Sequence, residues 1–240
     1  MTDQTTVNAT AVPDHGASYN LPNQLVENPG RRYQYQNVID EICELNWQQL
    51  DRENLINVAW AYYHFSVQFR ESLEIACSLH PEDKLLQELD QGERNTDNLS
   101  PWPGVANPGE RMHHDEFMRR TLLLSPIDES RKRHLKYLGG SYLAKTRGTD
   151  LFIRATSLAS YEDGGLEKVF GAMLTAPDWD DVLLRAFRHF LIEHIKFDSD
   201  PDHGHGAICR HLAPDDKVLP LWSAFKEMLT AAAPRLAQPV

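Results

Sequence analysis

The sequence predicts an all-α fold, a single bundle of about seven or eight helices. Apolar residues recur at three- and four-residue steps along most of the chain. Glycine and proline cluster between those stretches, and no strand-like alternation of useful length occurs. With 240 residues, 41% hydrophobic and 9% aromatic, one core suffices and no second domain is required.

Residues 1–32 carry Pro13, Gly16, Pro22, Pro29 and Gly30 among few apolar side chains, which reads as an extended or poorly ordered arm ahead of one domain over 33–240. Val38, Ile39, Ile42 and Leu45 then set a helical period over about 34–48. From Leu55 to Ala76, Val58, Tyr62, Phe65, Phe69 and Leu73 mark one face, while Ile56, Trp60, Tyr63 and Val67 occupy others, so this helix is expected to be central. A short helix at about 82–89 gives way to a long irregular connection containing Pro101, Pro103, Gly104, Pro108 and Gly109, and connections of that length are often functional. Further helices are expected at about 110–124, 129–145, 149–161, 165–175, 179–197 and 217–233, with breakers at Gly139-Gly140, Gly164-Gly165, Pro177 and Pro201.

A formal charge of −11 argues against nucleic acid and anionic membrane as partners, and the run Arg131-Lys132-Arg133 reads as a solvated helix face. Cys43, Cys77 and Cys209 are far apart and odd in number, so neither a disulfide framework nor a thiolate metal site is suggested. A reducing, cytoplasmic setting fits, and the polar N-terminus has no apolar segment resembling a signal peptide or an anchor.

The chemistry concentrates in the histidines. His194 and Asp198 stand at i and i+4, on one face of a helix, and are followed by a polar elbow holding Asp200, Asp202, His203 and His205. A solvated ion pair and a polar turn account for that segment alone about equally well. A second segment shifts the balance: Glu110 is followed by His113 and His114 at the i+3 and i+4 spacing used in di-iron helical bundles. His114 shares its face with Phe117, Met118 and Leu122, whereas His113 shares one with Arg120 and Thr121, which favours His114. Glu162 closes an apolar helix face just before the double-glycine break, where a carboxylate opposes the helix dipole and calls for a positive partner. Nitrogen and carboxylate donors without thiolate suit iron, manganese or zinc. No dinucleotide fingerprint, phosphate loop, HExxH or GxSxG motif competes with this set.

In order and spacing these residues resemble the haem-oxygenase-like dimetal oxidases over about residues 36–232. The family's early carboxylate and histidine, middle glutamate, and late histidine, aspartate and histidine match Glu110 and His114, then Glu162, then His194, Asp198 and His205. The family's first glutamate usually lies further upstream, which makes Glu93 and Asp97 the alternatives to Glu110. Pro201 stands where the final histidine commonly falls, and His205-Gly206-Ala207-Ile208 resembles the usual continuation better than His203, with a part for Asp202 left open. The resemblance implies two Fe(II) ions and dioxygen as co-substrate. The implied activity is a non-haem di-iron oxygenase that oxidises a small amino-acid-like substrate in specialised-metabolite biosynthesis. It allows an external electron donor and a homodimer, and Arg147 or Arg154 as the cation for a substrate carboxylate. A metal-independent enzyme of the same fold, and a non-enzymatic helical binding protein, are the competing readings.

Overall fold

The computed structural model describes residues 32–94, 99, 101–198 and 204–238, apart from the side chain of Asp198. The expected N-terminal arm lies almost wholly outside them. Arg32–Val240 forms one compact unit. Ten α-helices occur among the described residues, and no strand: α1 (Gln34–Cys43), α2 (Arg52–Leu79), α3 (Lys84–Glu93), α4 (His114–Thr121), α5 (Glu129–Arg147), α6 (Leu151–Glu162), α7 (Gly165–Met173), α8 (Val182–Asp198), α9 (His205–Cys209) and α10 (Leu219–Ala232). The count exceeds seven or eight partly because α9, with five residues, is too short to show a period. None of the described helices is long and apolar enough to cross a membrane.

α2 is the axis of the bundle. Asp51 caps it by accepting from the Asn54 N–H, and its 28 residues run without a glycine or proline. α4, α5, α6, α8 and α10 all pack against it. Tyr62 meets Phe170, Phe187 and Phe190 at ring-centroid distances of 5.4–5.6 Å, and Phe65 meets Tyr161 and Phe225 at 5.0 and 4.4 Å. A helix with aromatic side chains on several faces has to be surrounded, which is why the other elements are arranged around this one.

Two expected boundaries move for local reasons. α1 stops at Cys43, and a 3₁₀ turn over Trp47–Gln49 tucks the Trp47 ring beneath the helix end, its indole N–H donating to Ile42 O at 2.9 Å. α4 starts at His114 rather than near Glu110, because Glu110 closes a turn by accepting from the Asn107 backbone N–H at 3.0 Å. Gly139-Gly140, expected to break the chain, lies inside α5. Gly139 is there for its missing side chain: an added Cβ would stand 2.2 Å from the His64 ring of α2. That ring is buried and held through Nδ1 to Trp60 O at 2.9 Å, and burial lowers its pKa, so it packs as a neutral imidazole.

Gly139→Ala is therefore expected to destabilise the protein by roughly 1–3 kcal/mol, overpacking outweighing the better helix propensity of alanine. Urea unfolding measures it. In a His64→Ala background the same substitution should turn neutral or stabilising, and an unchanged penalty there would place the clash elsewhere.

Candidate metal centre

Five buried side chains converge where helices end. Glu93 is the last residue of α3, His114 the first of α4, Glu162 the last of α6 and His205 the first of α9, while His194 comes from within α8. Each end has a sequence cause. Asp83 starts α3 by accepting from the Leu85 and Leu86 N–H groups. Gly164, at φ +82°, stops α6 just after Glu162, and Gly165 lets α7 begin against Ser160 O, which an added Cβ would approach to 2.1 Å. Gly206 brings α9 against the end of α6, where an added Cβ would meet Glu162 O at 2.8 Å.

Glu93 joins two groups. Its Oε2 lies 2.8 Å from His114 Nδ1, which in turn lies 3.0 Å from His194 Nε2. Its Oε1 lies 3.2 Å from His205 Nδ1, and that nitrogen is 3.3 Å from Glu162 Oε2. Donor atoms of Glu93, Glu162 and His205 all fall within 4.8 Å of one another, a spacing that one ion can bridge. His194 Nδ1 faces Phe190 O at 2.8 Å, so that nitrogen carries the proton and Nε2 presents its lone pair to the cluster.

Electrostatics separate the two carboxylates. Burial opposes charge on Glu93, but His114, through charge and hydrogen bond, followed by His205 and His194, brings it down to about 2. Burial and then the Glu93 charge push Glu162 well above the ordinary carboxylate range, with His114 only partly offsetting them. Burial and then His114 hold His194 down at about 3, which keeps it neutral at ordinary pH. His114 Nε2 and Glu162 Oε2 are buried and make no hydrogen bond. These two belong to a nitrogen and carboxylate donor set without thiolate, whereas the same condition at Trp60 Nε1 and Thr121 Oγ1 arises outside it. Glu93, Glu162 and His205 therefore form a donor group that fits a divalent ion of the iron, manganese or zinc type.

The structure sorts the sequence candidates. His114, Glu162, His194 and His205 come together. Glu110 does not join them: its Oε1 accepts from Arg120 at 2.7 Å at the protein surface, and it lies in no helix, so its i+4 spacing to His114 has no geometric meaning. Glu93 occupies the place expected of Glu110. Glu93 was one of the two alternatives to Glu110 that the resemblance offered, because the family's first glutamate lies further upstream of its histidine. His113 caps α4 without entering the cluster. Arg147 and Arg154, expected near a substrate, both pair with Glu71, at 2.5 and 3.0 Å. Asp97, Asp202, His203 and the Asp198 side chain lie outside the described residues. Comparison with family models, curated proteins and solved structures finds no match.

Glu162→Gln distinguishes a metal ligand from a structural acid. In metal-free protein it should leave stability nearly unchanged, since burial and the Glu93 charge already favour the neutral form of this carboxyl and Gln is its neutral isostere. In wild type, divalent metal at about a hundred times its Kd should add about 2.7 kcal/mol, or roughly 5–10 °C in Tm, and the Gln variant should lose most of that gain. Thermal melts with and without metal show the split, and an equal metal response in both proteins would remove Glu162 from the site.

Proposed function

We propose that this chain is a non-haem di-iron oxidase or oxygenase of haem-oxygenase-like architecture, which uses dioxygen to oxidise a small, amino-acid-like organic molecule. The observation that carries the reading is the placement of Glu93, whose two carboxylate oxygens face two different imidazoles, His114 and His205, deep in the bundle. A carboxylate shared in that way suits two ions better than one. Glu93, His114 and His194 would hold the first ion, and Glu93, Glu162 and His205 the second. Bound there, two ferrous ions supply the electrons with which dioxygen is reduced and made reactive toward a neighbouring organic molecule.

The protein's own contribution is position and exclusion. The Phe190 carbonyl fixes the tautomer of His194, and the Phe190 ring packs 4.0 Å from the imidazole and 5.8 Å from that of His114. Tyr62, Phe65, Phe69, Leu73 and Leu166 line the inner side of the cluster. That apolar wall keeps bulk water from the inner face, where it would quench a reactive oxidant. On the other side His205 separates the cluster from a cavity of about 700 Å³ that opens to solvent. This volume falls in the range of small-molecule sites, about 300–1,000 Å³.

Anaerobic loading with ferrous iron tests the reading. Two irons per chain are expected, with dioxygen consumed on exposure to air, and Glu93→Gln should fall to one iron or fewer because both ions share that residue. His194→Ala should likewise lose at least one. Less than one iron in the wild-type protein, or two retained in Glu93→Gln, would favour acid–base chemistry by these histidines instead.

A further inference from the structure

We infer that the cavity beside His205 binds an organic anion with an apolar body, and that Arg111 is the residue that recognises its negative end. This rests on the reading above for what the molecule is used for, but the binding itself follows from the cavity alone.

Gly92, Met112, Phe197, His205 and Ile208 form its apolar part, and Glu88, Gln91, Arg94, Arg111 and His113 its polar part. Gly92 lies close against the His205 ring, since an added Cβ would stand 3.0 Å from His205 Nε2 and oblige the ring to shift by a few tenths of an ångström. The His205 ring thus turns Nδ1 toward Glu93 and Glu162 and its opposite edge toward the Gly92 side, so it is shared by the cluster and the cavity wall. Phe197 packs edge-on against that ring at 4.7 Å and is 41% exposed, so it offers the cavity an apolar surface.

The two arginines differ. Arg94 is neutralised by Asp90 one turn earlier on α3, at 2.8 Å. Arg111 is exposed and has neither an ion pair nor a side-chain hydrogen bond among the described residues, although most other arginines of the chain are paired. In a protein of net charge −11, an unpaired guanidinium lining this cavity stands out against the general field. Its planar fork matches a carboxylate, and the apolar floor beyond it takes the rest of the molecule toward His205. Glu88 on the same rim repels a second negative charge and accommodates an ammonium, which favours monoanions and zwitterions over dianions.

Calorimetric titration with hexanoate, hexanamide and norleucine, on protein whose metal content is measured in the same sample, tests the inference. Hexanoate and norleucine should each bind at least about tenfold more tightly than hexanamide, the factor expected of one charge-assisted contact. Arg111→Gln should abolish that preference and leave hexanamide binding unchanged. Arg111→Lys should restore part of it, and Arg94→Gln should matter less, because Asp90 already satisfies Arg94. Hexanoate binding no tighter than hexanamide, or a preference that survives Arg111→Gln because the carboxylate sits on the metal, overturns the inference. The preference in protein that takes up no metal would sustain this site while sinking the di-iron reading, and metal uptake without the preference would do the reverse.

Discussion

Glu93 and Glu162 place two carboxylates in the interior, each at the C-terminal end of its helix, where the backbone carbonyls already carry partial negative charge. Neither position is one that an acidic side chain would take for stability. Uncompensated, a buried carboxylate costs several kcal/mol, and two side by side cost more. Three imidazoles answer them, from the first residues of α4 and α9 and from the middle of α8. Such an assembly, with no arginine or lysine among its five members, has the donor chemistry of a divalent-ion site.

That polar knot is held in place by apolar work done elsewhere. α2 contributes no donor to the five-residue cluster, but its Tyr62, Phe65 and Phe69 form the wall against which the cluster rests. The same helix anchors α6 and α8, which carry Glu162 and His194. Rotation or sliding of either would break aromatic contacts along its length, and this gives the cluster its rigidity.

Much of this was legible in the sequence, and the limits have physical causes. Long periodic stretches announced α2, α5, α8 and α10, since amphipathic pattern is a direct record of burial. His114, His194 and Glu162 were readable because each lies on or beside an apolar face. Glu93 was harder. The i+4 rule that pointed to Glu110 applies only where the backbone is helical, and around Glu110 the backbone is a turn held by Asn107 and Arg120. The partner of His114 comes from another helix, so local spacing carried no record of it. Gly139 misled in a similar way, because a glycine that admits a neighbouring ring looks in sequence like one that ends a helix.

The connection from Glu93 to His114 leads from one donor straight to the next, and its ends, Arg94 and Arg111 to His113, shape the cavity wall. Its described part is anchored along its length as well: Leu99, Val105 and Ala106 are buried in the core, and Trp102 stacks on His189 of α8 at 4.6 Å. A substitution in this stretch is therefore felt by the core as well as by the cavity wall.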